Sequence, residues 1–317
     1  MKTKVFIIGL MGWLLVSCTS ALSSSGSEVY EELVESVTPT VGLPTPTNTP
    51  EPDLYSIEAL ANRTYGEGEL TIEYTWEEQE DFTRYYITYT SDGLTIHGFV
   101  NVPTGRGPFP VVIALHGYIP ASEYETLDYS TRYADSIARQ GYIVLHPNMR
   151  NFPPSDSPGR SRDSLSGYTI DVMNLLALVR KEAGTEGVFE NADVSRLGIW
   201  GHSLGGGVAL RVATLVDEID AVVLYGAVTQ RYNYEPIGLP VYDLRLIDAP
   251  FSIHHGTADE TVSPSWSETI CATLEELGKE HECYFYEGQP HTFLRSGSSD
   301  ALFIQRTVQF FNLNLKN

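Results

Sequence analysis

Basic side chains are scarce in this chain: 20 Lys and Arg stand against 41 Asp and Glu among 317 residues, a formal charge of −21. A surface of that sign repels a phosphate backbone, which argues against nucleic acid as a partner. The acidity serves solubility, and a preference for cationic substrates is the alternative reading. Cysteine is nearly absent, with three residues in all, Cys18, Cys271 and Cys283. Long apolar runs are missing as well. The N-terminal one, Val5 to Val16, spans about 12 residues, whereas a helix needs about 20 to cross a bilayer, so a permanent transmembrane segment is disfavoured. No internal repeat is visible, and 42% hydrophobic with 19% charged residues is the make-up of an ordinary globular protein, long enough for one large α/β domain.

What the N-terminus does have is Lys2 and Lys4 followed directly by that apolar run, the pattern of an export signal. The run ends Leu15-Val16-Ser17-Cys18, which resembles the bacterial lipoprotein signal. The resemblance implies that residues 1–17 are cleaved and that Cys18 becomes the lipid-bearing N-terminus. The protein would then be exported and anchored to a membrane of the bacterial cell envelope or surface. An ordinary secretory signal that happens to contain a cysteine is the alternative. Thr19, where an acidic residue would favour inner-membrane retention, gives no such signal within the same resemblance. Loss of Lys2 and Lys4 with the leader leaves 18 basic residues against 41 acidic ones. An exported chain tolerates disulfides, so Cys271 and Cys283 are a candidate pair that would tie a late helix to the strand after it. Residues 18–52 are rich in Ser, Thr, Pro and Gly and end TPTVGLPTPTNTPEP, a composition that cannot bury a core. They read as a Pro-stiffened tether ahead of a catalytic domain over residues 53–317.

That domain opens with LTIEYTW, FTRYYITYT and LTIHGFVNV, whose period-two alternation and Ser91-Asp92-Gly93 turn predict antiparallel strands. The segments VVIALHG, YIVLHP, RLGIW, AVVLY, PFSIHH and CYFYE follow, with a helix near Ser130 to Gln140 and further helical or irregular stretches between them. Strands this uniformly apolar, interleaved with helices, predict an α/β fold with a mostly parallel sheet covered on both faces.

The strongest chemical signal is Gly201-His202-Ser203-Leu204-Gly205, directly after the strand RLGIW and opening the helical run GGGVALRVATL. A sharp strand-to-helix turn strains its middle residue and needs small neighbours so that strand and helix do not collide. Ser203 is thereby the candidate nucleophile, lifted to the rim of the sheet at a helix N-terminus. A serine hydroxyl needs a base, and histidine has the suitable pKa. Functional groups gather outside the carboxyl ends of parallel strands, which selects His291, in the loop after CYFYE, over His281 before it. His97 and His146 lie within or at the end of strands and read as structural; His202 belongs to the elbow, packing or making a fixed hydrogen bond. Asp259, a few residues beyond PFSIHH, is the acid that would orient His291, with Glu260 as its rival. The order Ser203, Asp259, His291 is that of α/β-hydrolases. The amides of Leu204 and of Tyr118, in Leu115-His116-Gly117-Tyr118, are the candidate oxyanion donors. His254 and His255 look like a metal pair, but neighbours on a strand point to opposite faces, and no other cluster has zinc spacing, so no metal or organic cofactor is expected.

On these residues, the stretch from Tyr85 to Asn312 resembles the α/β-hydrolase superfamily, in particular dienelactone-hydrolase-like enzymes and the catalytic domain of the prolyl oligopeptidase family. The match includes the His116-Gly117 loop, the segment Arg150 to Ser155, Asp171 on a helix before the nucleophile strand, and His255-Gly256-Thr257-Ala258-Asp259. Arg150-Asn151 departs from the Arg-Gly turn of relatives and leaves that turn's conformation open. The resemblance implies an α/β-hydrolase fold and acyl transfer through a covalent serine intermediate. Only about 50 residues lie between the tether and the first core strand, so there is no room for the β-propeller that filters peptides in the second group. A small acyl ester is therefore the first substrate expectation. A serine peptidase acting on short peptides and a non-catalytic, ligand-binding surface lipoprotein are the alternatives. The tyrosine-rich connections 228–247 and 119–129 are the expected cap and opposite wall of the site.

Overall fold

The computed structural model describes residues 56–158, 164–229 and 242–316. The expected leader, Cys18, the tether up to residue 52 and residues 230–241 of the expected cap lie outside the described residues.

One edge of the sheet is an antiparallel meander of β1 (Leu70–Glu78), β2 (Phe82–Ser91) and β3 (Leu94–Pro103). β2 and β3 pair without a break from Phe82 opposite Pro103 to Ser91 opposite Leu94. Their two-residue turn holds Asp92 and Gly93 at φ 52° and 77°, the left-handed pair that suits the twist of a tight hairpin. Six further strands are mutually parallel: β4 (Phe109–Leu115), β5 (Ile143–Pro147), β6 (Ala192–His202), β7 (Ile219–Tyr225), β8 (Phe251–Gly256) and β9 (His281–Tyr286). The nine strands lie in the order β1-β2-β3-β5-β4-β6-β7-β8-β9. This is the α/β-hydrolase fold.

Both faces of the sheet are covered, which is why its central strands carry apolar residues at successive positions rather than alternate ones. α2 (Thr131–Ala138) and α6 (Ser298–Leu315) bury Trp200, Tyr225, Phe303 and Phe311 on one face. α3 (Ser164–Glu182), α4 (Leu204–Leu215) and α5 (Pro264–Glu276) bury Ile113, Leu145, Ile199 and Leu224 on the other, and the short α1 (Ile57–Ala61) rests against α4. Each fully buried aliphatic or aromatic side chain of this kind contributes about 1.5–3 kcal/mol. Among the described residues no helix is long and apolar enough to cross a membrane.

Two local features hold the loops at the carboxyl edge of the sheet. Asp171, buried on α3, accepts from the Arg150 amide at 2.7 Å, from Arg150 Nη2 at 2.7 Å and from Ser91 Oγ at 2.6 Å. In the turn that follows, Asn151 takes φ 68°, the left-handed conformation that a glycine would take there, and asparagine is among the residues that tolerate it. At the far edge, a disulfide joins Cys271 of α5 to Cys283 of β9.

Candidate active site

Because β4, β6, β7, β8 and β9 run parallel, the segments that leave their carboxyl ends converge on one edge of the sheet. These segments carry Gly117, Ser203, Gly226, Asp259 and His291.

Ser203 sits between β6 and α4 at φ 53°, a region that a residue with a side chain enters only under strain. The turn is pinned on both sides: its amide donates to Tyr225 O at 3.0 Å and its carbonyl accepts from Val228 N at 2.9 Å. The flanking glycines are required by contact. A Cβ on Gly201 would lie 2.4 Å from Gly205 O, and one on Gly205 would lie 2.3 Å from Leu115 O. Strand, elbow and helix thus meet at backbone distance, and the Ser203 side chain is held 7% exposed at the rim. Among the described residues its hydroxyl has no hydrogen-bond partner.

His291 Nδ1 donates to Asp259 Oδ2 at 2.6 Å, while Glu260 is exposed. The carboxylate is held from four directions. His255 Nε2 approaches Oδ2 at 3.0 Å, and the amides of Thr261 and Val262 donate to Oδ1 at 2.8 and 2.9 Å. Burial alone would push the Asp259 carboxyl up, but the hydrogen bonds from His255, His291 and Val262 outweigh it and hold the group well below the ordinary carboxylate range. Asp259 is therefore an anion at any ordinary pH, suited to fixing His291 with its Nδ1 protonated and its Nε2 free to accept a proton. Gly226, at φ 49°, forms the floor beneath this pair, and a Cβ there would meet His291 Nδ1 at 3.3 Å.

The ring of His202 lies against that of His291, with centroids 4.6 Å apart, and its Nε2 donates to the His291 carbonyl at 3.1 Å. Burial and the adjacent His291 push its pKa down to about 3, so the ring is neutral and the other nitrogen, Nδ1, accepts from the Tyr129 hydroxyl. His116 is buried, with Nε2 2.8 Å from Asn148 O and Nδ1 2.7 Å from Gly117 O, and this fixes the start of the loop that carries Tyr118. Tyr118 itself is 69% exposed. Among the described residues neither the Tyr118 nor the Leu204 amide meets a protein acceptor, which leaves both free for a substrate oxygen.

The remaining histidines are engaged elsewhere. His97 pairs with the Tyr86 hydroxyl at 2.8 Å, His146 with Ser130 Oγ at 2.7 Å, and His281 opens β9 at the opposite edge of the sheet. His254 and His255 diverge, the first meeting Tyr286 and Phe303 and the second Ser267 of α5 at 2.6 Å. No group of three or more metal-ligating side chains is found among the described residues. Three participants escape sequence reasoning. His255 supports the acid, Gly226 floors the pair, and Tyr129 lies 73 residues from the histidine it contacts. Only His255 left a trace, in its spacing four residues before Asp259.

The profile of the dienelactone hydrolase family matches residues 96–313. Among curated proteins the chain is similar to esterase EstD of Thermotoga maritima, 28% identical over 144 residues that make up 43% of this chain and 32% of that protein. The chain spans about half or less of the length of the curated relatives it matches. Among solved structures it is similar to an acetyl xylan esterase from Paenibacillus sp. R4, with TM-score 0.62 and 19% identity over 82% of this chain and 92% of that one. It is also similar to the acylaminoacyl peptidase of Pyrococcus horikoshii, with TM-score 0.56 and 18% identity over 76% of this chain and 43% of that one.

Proposed function

From the fact that the chain belongs to the dienelactone hydrolase family, and from the geometry at its sheet edge, we propose that the protein is a serine hydrolase that cleaves small acyl esters. Ser203 attacks the carbonyl carbon while His291 takes its proton. Asp259 stabilises the imidazolium that forms, and the amides of Leu204 and Tyr118 receive the oxyanion. His291 then protonates the leaving alcohol, and water repeats the cycle on the acyl-enzyme with His291 again as base. The observation that carries the reading is the 2.6 Å contact of His291 with an Asp259 carboxylate held ionised, at the same edge as a serine strained to φ 53° at a helix N-terminus. The ester preference rests on the likeness to named esterases. Export and anchoring through Cys18 belong to the same proposal and rest on the N-terminal sequence.

The test is hydrolysis of a chain-length series of p-nitrophenyl esters beside aminoacyl and dipeptidyl anilides, by the protein and its Ser203→Ala variant. Ester turnover that falls on the order of 10⁴ to 10⁶ in the variant supports the reading. Dominant anilide turnover makes the protein a peptidase instead. Silence on both series, with no labelling of Ser203 by a fluorophosphonate, leaves a non-catalytic lipoprotein.

A further inference from the structure

One hydrogen-bonded chain crosses the candidate site without using the Ser203 hydroxyl or the Asp259 carboxylate. The Gly117 amide donates to the Tyr129 hydroxyl at 2.8 Å, that hydroxyl donates to His202 Nδ1, and His202 Nε2 donates to the His291 carbonyl at 3.1 Å. The direction of every link is fixed. A carbonyl only accepts, so His202 carries its proton on Nε2; its neutral ring then presents a lone pair at Nδ1, and the Tyr129 hydroxyl is left to accept from the amide. Links that all run one way polarise one another. The packing is as close as the bonding: a Cβ on Gly117 would meet the Tyr129 hydroxyl at 2.8 Å, Ser203 Cβ at 3.0 Å and His202 Nδ1 at 3.2 Å.

We propose that Tyr129 and His202 are positioning residues that hold the oxyanion loop and the base loop in register with the Ser203 elbow through this single relay. The relay's two ends are the two loops that must agree. Gly117 precedes the residue whose amide is the free oxyanion donor, and by taking up the Gly117 amide Tyr129 fixes the peptide plane that aims the next one. His202 neighbours Ser203 in the chain, so what it holds at the His291 carbonyl is held relative to the nucleophile. The base loop has further anchors, among them Gly288 N to Thr257 Oγ1 at 2.8 Å, Ala258 N to Gln289 O at 3.0 Å, Phe293 N to the Tyr225 hydroxyl at 2.6 Å and Arg132 Nη2 to Phe293 O at 3.1 Å. Those fix where the loop sits; His202 fixes the backbone of His291 itself. A misplacement of well under an ångström at either loop is enough to matter, because a donor must meet the developing oxyanion at hydrogen-bond distance. The inference rests on the serine hydrolase reading.

The test uses side chains that mimic one imidazole nitrogen at a time. Glutamine at 202 places a donor near the position of Nε2 and abandons Nδ1; asparagine keeps an acceptor near Nδ1 and abandons Nε2. Tyr129→Phe, His202→Gln, His202→Asn and the doubles Tyr129→Phe/His202→Gln and Tyr129→Phe/His202→Asn are assayed on the best ester at 25 °C, beside thermal unfolding and the rate of fluorophosphonate labelling. Tyr129→Phe removes both hydrogen bonds of the hydroxyl and is expected to lower kcat about tenfold or more, the scale of one to two net hydrogen bonds, with KM nearly unchanged and the protein still folded at the assay temperature. His202→Gln breaks one of the two links that Tyr129→Phe already breaks, so its double with Tyr129→Phe is expected to be no worse than the worse single. His202→Asn breaks the link to the His291 carbonyl, so its double is expected to multiply the losses. Wild-type kcat in Tyr129→Phe, or losses in both doubles that track only the fall in unfolding temperature, overturns the proposal. If the wild-type protein shows neither turnover nor labelling at Ser203, the hydrolase reading itself has failed, and that result is distinct from either pattern.

Discussion

A serine at φ 53° has its side-chain direction dictated by the strand and helix that flank it, so chemistry at position 203 depends on what the other loops bring to it. Asp259 is the sharpest case. Asparagine at 259 would turn an amide donor or a weaker acceptor toward His291 Nδ1 and favour the wrong tautomer. Asp259→Asn is therefore expected to lower kcat on the order of 10⁴-fold, the magnitude known for triads of this type, with the fold intact by circular dichroism. Glu260→Gln, which alters an exposed neighbour, is expected to stay near wild type; the reverse pattern would transfer the acid role to Glu260. The glycine-flanked elbow named Ser203 from the sequence, and strand polarity named His291 and Asp259, which the structure brings into contact. They were silent on Tyr129, Gly226 and the support from His255, because those contacts depend on where loops distant in the chain come to rest.

Buried neutral histidines contribute to the acid stability. Burial pushes His146 down to about 4 and His254 down to about 3 from an ordinary 6.5. The groups facing His254 are Ser252, Tyr284, Tyr286 and Phe303, with the Arg306 cation opposing its protonation further. A depressed histidine stays neutral in the folded chain while the unfolded chain takes up a proton below 6.5. Its contribution is therefore complete above that pH and is lost as the pH falls toward its folded-state value. Each such residue gives a slope of up to about 1.4 kcal/mol per pH unit within that window. Urea unfolding of the protein between pH 7 and pH 4 is expected to show stability falling with pH, and His254→Gln is expected to flatten the slope by about one proton's worth. Equal slopes in the two proteins would mean that His254 titrates normally when folded.

At the scale of elements, α5 and β9 lie between the acid and the base. α5 begins at Pro264, soon after Asp259, and β9 ends at Tyr286, shortly before His291, while the Cys271–Cys283 disulfide closes the segment across 12 residues. In the chain-entropy account a loop of that size gives about 3 kcal/mol, almost all of it through the unfolded state. The double variant Cys271→Ser/Cys283→Ser is thus expected to unfold at lower denaturant, by about 2–3 kcal/mol, with kcat at 25 °C close to wild type. The contacts of Asp259 with His255, Thr261 and Val262 do not involve the bridge. A large fall in kcat without loss of stability would mean that the bridge shapes the site directly. The mostly parallel sheet was legible because six largely apolar strand segments are interleaved with helical stretches, and the antiparallel opening because three segments alternate. The exchange that seats β4 inside β5 was not legible, since a right-handed crossover leaves no mark on the residues of either strand. The turn at Asn151 was equally open from sequence alone, since only its φ of 68° shows that asparagine has taken a glycine's place.

At the scale of the whole molecule, charge bears on the proposed anchoring. A chain at −21 is repelled by an anionic membrane surface, and among the described residues no helix can cross a bilayer. The proposed attachment is by covalent lipid, each buried methylene of which contributes about 0.8 kcal/mol. Cys18 is the proposed site, and replacing it leaves the apolar leader intact, so the substitution separates lipidation from export. In a bacterial host, Cys18→Ser is expected to abolish incorporation of an alkyne fatty acid and to shift the protein from the detergent phase to the aqueous phase on Triton X-114 partitioning. Lower ionic strength is expected to weaken any residual binding to anionic vesicles, because repulsion between like charges is then less screened. A Cys18→Ser protein that still incorporates the fatty acid, or still partitions with detergent, would place the anchor elsewhere. One that stays in the membrane fraction without acyl label would instead point to an uncleaved leader as the attachment.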